Sequence, residues 1–133
     1  MKPENKIRWA IIKRAYDWLE KDLPEIPETD EEMEDLYDKL ADEECPDKIY
    51  DASNEVRGMG EETNLPEREW SRHYESKEVA AEMYDGSWVG WTYWYGGGKH
   101  GEPEAVDWIP YAYDVTRKTE TRVVNVFSLP EST

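Results

Sequence analysis

Residues 84–104, YDGSWVGWTYWYGGGKHGEPE, place a turn signal, an aromatic strand and a run of glycines in immediate succession. The pair Asp85-Gly86 favours the positive backbone φ angles of a two-residue hairpin turn. From Trp88 to Tyr95 every residue is aromatic or β-branched except one glycine, which is typical of a strand. Because side chains alternate between the two faces of a strand, both faces carry aromatic rings. We therefore predict a central strand that is covered on each side.

Shorter elements are predicted on either side of this strand. Residues 72–76 (RHYES) and 79–84 (VAAEMY) are strand candidates that precede the turn. Residues 121–129 (TRVVNVFSL) predict a C-terminal strand paired with the hairpin. Between them, Pro103 suits the first position of a short helix that would follow the glycine-rich turn and include Trp108.

Two longer helices are predicted in the N-terminal half. Residues 6–21 repeat apolar side chains at intervals of three and four, which is typical of an amphipathic helix. A second helix begins after Thr29, because Thr29 and Glu32 form the pattern of a capping box. Pro46 is predicted to end this helix. Residues 47–69 show no clear period, and we predict that they include a long surface loop.

These elements predict an α+β fold. A small antiparallel sheet, formed by the hairpin and the C-terminal strand, would pack with the N-terminal helices and one short helix after the glycine-rich turn. A length of 133 residues suits one compact domain. Within it we distinguish a helical, acidic segment at residues 1–69 from an aromatic-rich α+β core at residues 70–133. Although 36% of the residues are charged, seven Trp and nine Tyr supply enough apolar area for a core.

The charge of the chain limits its partners. The formal net charge is −16, from 32 acidic and 16 basic residues. Affinity for nucleic acid comes largely from neutralising phosphates, so direct binding to nucleic acid is not expected. Anionic membrane surfaces are excluded for the same reason. Basic proteins, cations and neutral ligands remain as partners.

The chain has no apolar run of the roughly 20 residues that cross a bilayer, and its first residues lack the apolar stretch of a signal peptide. We therefore expect a cytoplasmic location. The single cysteine, Cys45, cannot form an internal disulfide or a zinc site alone. Its acidic neighbours disfavour the thiolate, so Cys45 is not a candidate nucleophile.

The most concentrated charge lies at residues 30–44, which contain nine carboxylate side chains. At about 1.5 Å per residue these side chains span about 22 Å of helix, or roughly one charge per 2.5 Å. Duplex DNA presents one charge per roughly 1.7 Å of axis, so the two densities are of the same order. We predict that this helix binds a basic partner surface through seven residues: Glu31, Glu34, Asp35, Asp38, Asp42, Glu43 and Glu44.

A different interpretation of the acidic helix is a solvated surface with no partner. Basic residues of the first helix could also neutralise part of it within the molecule; the candidates are Lys6, Lys13, Arg14 and Lys21. The aromatic strand likewise has two interpretations. Trp88, Trp91 and Trp94 either form the core or offer a stacking platform for a sugar.

The glycine-rich turn is the second candidate site. Gly96–Gly98 allow a ligand to approach the backbone closely, and four residues after them carry suitable chemistry: Lys99, His100, Glu102 and Glu104. The pattern is neither a P-loop nor a dinucleotide fingerprint. It is compatible with a turn alone, with a small anionic ligand, or with a metal or acid/base group that His73 would join. We predict no catalytic residue, metal or cofactor for this chain.

Residues 71–109 resemble a family of small acidic proteins carried by bacterial prophages and plasmids. The shared pattern is SRHYES followed by DG-[ST]-WVGWTYWYGGGKHGEPE, which this chain matches from Ser71 to Glu104. The resemblance assigns no role to individual residues. It implies a context in which small acidic proteins inhibit host defence, as anti-restriction and anti-CRISPR proteins do. The acidic helix lies outside the matched region.

We therefore hypothesise a non-enzymatic inhibitor that binds a basic host protein, such as a nucleic-acid-binding defence complex, through the acidic helix. The alternative is a small-ligand-binding or catalytic domain that uses the glycine-rich turn. The oligomeric state does not follow from the sequence.

Overall fold

The computed structural model describes residues 1–130 and has an α+β fold, as predicted. Its sheet is antiparallel, with the strand order β1-β2-β3-β4. The elements are α1 (Pro3–Leu19), α2 (Asp30–Lys39), α3 (Pro46–Arg57), β1 (Glu61–Glu62), β2 (Glu75–Glu82), β3 (Trp88–Tyr95) and β4 (Tyr113–Val115).

The predicted hairpin is present, and its arms are β2 and β3, which pair over their full lengths. Its connection differs from the prediction, because three residues, Tyr84 to Gly86, separate the hydrogen-bonded pair Met83 and Ser87. Of these three loop residues, only Gly86 has a positive φ, which is 82°. Its N–H donates to the Met83 carbonyl at 3.0 Å. A tight turn followed by one left-handed glycine is the usual form of a three-residue hairpin loop.

The hairpin loop is also anchored to α1. Asp85 accepts hydrogen bonds from the Ser87 N–H at 3.1 Å and from the Ser87 hydroxyl at 2.6 Å. The Lys6 ammonium lies 3.2 Å from the Asp85 carboxylate and donates to the Ser87 hydroxyl oxygen at 2.8 Å. The Ser87 hydroxyl, with help from Lys6, lowers the pKa of Asp85 to about 2. These contacts hold the hairpin loop against the start of the chain.

The first two helices begin and end near the predicted residues. The Thr29 hydroxyl accepts a hydrogen bond from the Glu32 N–H at 3.2 Å, so the predicted N-cap of α2 is confirmed. Beyond Lys39 the helix continues as a π-helical turn from Leu40 to Glu44. The Cys45 N–H closes this turn on the Leu40 carbonyl at 2.9 Å. All of residues 30–44 are therefore helical.

The surface loop predicted within residues 47–69 is present, but the range begins with a helix, for which the sequence showed no clear period. Pro46 follows the acidic helix and is also the first residue of α3. Proline is tolerated at this position because the first N–H of a helix has no partner within the helix. Ile49, Ala52 and Val56 form the buried face of α3 at intervals of three and four. The chain from Met59 to Tyr74 contains only the two-residue strand β1, as expected for a surface loop.

The core lies between the helices and one face of the sheet. Trp91 of β3 is fully buried there, with Val79 and Val89 beside it. Its indole packs against Trp108, with the ring centroids 5.5 Å apart. Trp94 is also buried, on the opposite face of the same strand. Both faces of β3 are thus covered as predicted, and Trp91 and Trp94 are not free to form a sugar platform.

The short helix predicted after the glycine-rich turn is replaced by two 3₁₀ turns, Pro103–Ala105 and Ile109–Tyr111. Pro103 occupies the first position, as expected. Pro110, which has no N–H to donate, lies within the second turn and interrupts the helical pattern.

The predicted C-terminal strand at 121–129 was wrong. The fourth strand is β4, and residues 116–130 have no helix or strand. Five apolar side chains are between 73% and 97% exposed: Val123, Val124, Val126, Phe127 and Leu129. Strand propensity is realised only where a sheet edge is free to pair. Beyond the three residues that β4 pairs, β3 has no strand partner on this side within residues 1–130, and its Trp94 carbonyl accepts a hydrogen bond from the Arg57 guanidinium.

Among residues 1–130, no helix combines the length and the apolar character that crossing a bilayer requires.

The different environments of two valines provide a test of this fold. We expect Val89→Ala to lower the free energy of unfolding by roughly 2 kcal/mol, because Val89 is fully buried in β3. Val124→Ala should change it by less than about 0.5 kcal/mol, because Val124 lies in the exposed C-terminal segment. Urea unfolding followed by circular dichroism measures both. Equal losses would mean that residues 121–129 are packed as a strand.

Candidate functional site

The acidic helix presents four carboxylates on one face, which we call the acidic face: Glu31, Asp35, Asp38 and Asp42. Their intervals of four, three and four residues keep them on one side of a helix. All four are exposed. The opposite side contacts the core through Met33 and Leu40, which are buried. The apolar stripe therefore fixes the direction in which the acidic face points.

The acidic face is not neutralised within residues 1–130. Of the seven predicted partner-binding residues, only two form ion pairs there: Glu34 with Arg8 at 4.0 Å, and Glu44 with Lys39 at 3.4 Å. The other five, Glu31, Asp35, Asp38, Asp42 and Glu43, form none in this part of the chain.

The four basic residues that could neutralise the acidic helix, Lys6, Lys13, Arg14 and Lys21, form no ion pair with it. Lys6 pairs with Asp85, and Arg14 pairs with Glu55 of α3 at 3.2 Å. Lys13 and Lys21 form no ion pair with any residue in 1–130. Internal neutralisation of the acidic helix by these four residues is therefore not found.

A buried asparagine sets the position of α2 against α1. Asn5 is fully buried, and its amide nitrogen donates to Asp30 at 2.8 Å and to Glu34 at 3.2 Å. Its amide oxygen accepts from Arg8 at 2.7 Å. The hydrogen bond from Asn5 is the main cause of the lowered pKa of Asp30. Sequence analysis missed Asn5, although it stands four residues before the buried Trp9 on the core side of α1.

The glycine-rich turn reverses the chain after β3. Gly96, Gly97 and Gly98 have φ angles of 79°, 86° and 73°, which L-residues rarely adopt. The turn is closed by the Gly101 N–H, which donates to the Gly98 carbonyl at 3.1 Å. The Tyr74 hydroxyl accepts from the Glu102 N–H at 3.1 Å, and the Tyr74 ring fills the space that a side chain at Gly97 would need.

The candidate ligand residues of this turn form no metal site within residues 1–130. Lys99, His100 and Glu102 are exposed, and Glu104 is half-buried. No group of three His, Cys, Asp or Glu side chains within residues 1–130 is arranged to hold a metal ion. His73 therefore does not complete a metal site with these residues within residues 1–130. The glycines are explained by the sharp reversal and by Tyr74.

A second buried polar cluster lies on the outer face of the sheet. The Glu78 carboxylate is only 4% exposed, and the Thr92 hydroxyl lies 3.0 and 2.9 Å from its two oxygens. The Tyr113 hydroxyl donates to the same carboxylate at 2.6 Å. Burial, followed by the contact with Glu78, raises the pKa of Tyr113, so its hydroxyl remains a donor. Sequence analysis missed Glu78, because nothing in its neighbours indicates burial.

Cys45 is half-buried at the end of the acidic helix. Burial and the nearby Glu44 raise the pKa of its thiol, which agrees with its exclusion as a nucleophile.

No protein-family model matches this chain, and comparison with the curated proteins and with the solved structures gives no match.

Two neighbouring glycines separate the backbone and packing roles of the glycine-rich turn. Gly98→Ala should cost about 1 kcal/mol, because alanine disfavours a positive φ and nothing lies within 4 Å of the new methyl group. Gly97→Ala pays the same cost and must also displace the Tyr74 ring, so we expect a further loss of about 1–3 kcal/mol. Urea unfolding measures both. Equal losses would show that Tyr74 does not pack on the turn.

Proposed function

We propose that this protein binds a basic protein surface through its acidic face and thereby competes with nucleic acid for that surface. The observation that supports the proposal is the exposure of Glu31, Asp35, Asp38 and Asp42 on one side of a helix, with no ion pair to residues 1–130. Free carboxylates at a fixed spacing attract a row of lysine or arginine side chains.

The spacing suits a surface that normally binds a nucleic acid. From Glu31 to Asp42 the acidic face extends about 16 Å, and the flanking carboxylates of the helix raise the local density further. Along the axis of duplex DNA, each strand contributes one phosphate per rise of about 3.4 Å. A basic groove that binds phosphates therefore meets a comparable row of negative charges on a rigid support.

The helix also holds the backbone of the acidic face in one conformation. Because residues 30–44 are continuously helical, the carboxylates are held in place before a partner binds, which reduces the entropy lost on binding. Aromatic side chains are available as additional contacts elsewhere on the surface. Tyr50 is 58% exposed and Trp70 is 78% exposed.

The partner class that best fits this surface is a nucleic-acid-binding defence protein of the host. The resemblance of residues 71–109 to small acidic proteins of mobile elements points to the same class. The protein would act in the cytoplasm of the host as a non-enzymatic inhibitor of the anti-restriction or anti-CRISPR type. A ligand site at the glycine-rich turn has less support, because Lys99 is exposed and His100, Glu102 and Glu104 are not arranged to hold a metal ion.

Charge reversal tests the proposal. In affinity capture from a bacterial lysate at about 50 mM salt, the wild-type protein should retain nucleic-acid-binding proteins and release them at about 500 mM. In the charge-reversal variant, lysine replaces Glu31, Asp35, Asp38 and Asp42. This variant should retain about one tenth of the wild-type amount of these proteins, or less. Mass spectrometry quantifies the retained proteins. A retained partner should also lose DNA binding when wild-type protein is added.

A matched control reverses four exposed carboxylates outside the acidic helix: Asp22, Glu25, Glu69 and Asp107. It changes the net charge by the same amount, so it should retain the partners nearly as well as the wild-type protein. Circular dichroism confirms that both variants are folded. Equal capture by the two variants, or no nucleic-acid-binding protein at low salt, would contradict the proposal.

A further inference from the structure

A cavity of about 460 Å³ lies between α1, the end of α3 and the hairpin loop, away from the acidic face. Its apolar lining includes Trp9, Val56 and Met83, which are buried in the core. Met59 and Tyr84 line it as well and are partly exposed. Cavities that bind small molecules measure roughly 300–1,000 Å³ and are mostly apolar, with a few polar groups that orient the ligand.

The charged lining of this cavity has both signs. Lys6 and Arg14 line it but are paired with Asp85 and Glu55. Four further charged residues line it and form no ion pair within residues 1–130: Lys13, Lys21, Asp17 and Glu82. Charged residues of both signs therefore border the apolar lining of the cavity.

This combination selects among ligand classes. A purely anionic ligand would meet the two carboxylates and the negative field of a chain whose net charge is −16. A purely cationic ligand would leave the two lysines without a partner. A ligand that has one group of each sign and no net charge satisfies both pairs and is insensitive to the net charge of the protein.

We propose that this cavity binds a small zwitterion with an apolar body, of the class of the aromatic amino acids. Lys13 and Lys21 pair with the carboxylate of the ligand, and Asp17 and Glu82 pair with its ammonium group. The apolar body contacts Trp9, Met59 and Met83. This site is separate from the acidic face and is independent of the function proposed for that face.

The test uses L-phenylalanine as the probe, with two analogues that each lack one charged group. In ¹H–¹⁵N spectra of the whole protein, the indole resonance of Trp9, assigned with a Trp9→Phe variant, should shift saturably with L-phenylalanine. The analogue 3-phenylpropionate lacks the ammonium group, and phenethylamine lacks the carboxylate. Each should bind about fivefold more weakly or worse, since it loses its interaction with one pair of side chains.

Paired variants assign each charged group of the probe. Lys13→Ala with Lys21→Ala should weaken L-phenylalanine about fivefold or more and should not weaken phenethylamine, because the lysines repel its ammonium group. Asp17→Ala with Glu82→Ala should weaken L-phenylalanine and should not weaken 3-phenylpropionate, because these carboxylates repel its carboxylate. These side chains are exposed, so both variants are expected to fold. The control is Lys48→Ala with Lys99→Ala, two exposed lysines outside the cavity, and it should not change any affinity.

Three results would overturn the proposal. The first is the absence of a saturable shift at Trp9 with L-phenylalanine. The second is an analogue that binds as tightly as L-phenylalanine, which would show that one sign of charge is sufficient. The third is an equal effect of the control and the cavity variants. Charge reversal of the acidic face should leave this binding unchanged, so the two proposals fail separately.

Discussion

Two hydrogen bonds in opposite directions join the end of α3 to the central strand. The Trp91 indole N–H donates to the Arg57 carbonyl at 3.2 Å, and the Arg57 guanidinium donates to the Trp94 carbonyl. Arg57 is only 7% exposed and has no carboxylate partner within residues 1–130. Its guanidinium lies 4.4 Å from the centre of the Tyr93 ring, which offsets part of the cost of burying the charge. These contacts fix the end of α3 against β3.

The same junction helps to fix the positions of the acidic face and of the cavity. Once α3 is fixed to β3, α1 packs between α3 and α2, and the buried Asn5 sets α2 by its bonds to Asp30 and Glu34. Arg8 is thereby directed to Glu34, and the acidic face keeps its carboxylates exposed. Lys6 and Lys13 of α1 and Lys21, which follows it, line the cavity. One helix therefore separates a region of concentrated negative charge from a region of mixed charge.

Local signals were sufficient for the elements that depend on short-range chemistry. The Thr29 cap, the hairpin at Gly86 and the aromatic strand could each be predicted from a few adjacent residues. The helix α3 was missed because only Ile49, Ala52 and Val56 mark its face, between polar and charged neighbours. The strand at 121–129 was predicted from propensity alone, whereas pairing depends on a free sheet edge. Asn5, Glu78 and the cavity depend on burial by distant elements, which no local pattern reveals.

The exposed C-terminal segment makes the colloidal behaviour of the protein depend on its net charge. Residues 122–129 combine high β-propensity with five apolar side chains, a composition that favours intermolecular strand pairing. At neutral pH, repulsion between molecules of net charge −16 opposes such contact. Near the isoelectric point of about 4.4 this repulsion disappears. Mild acidification is then expected to favour self-association through this segment.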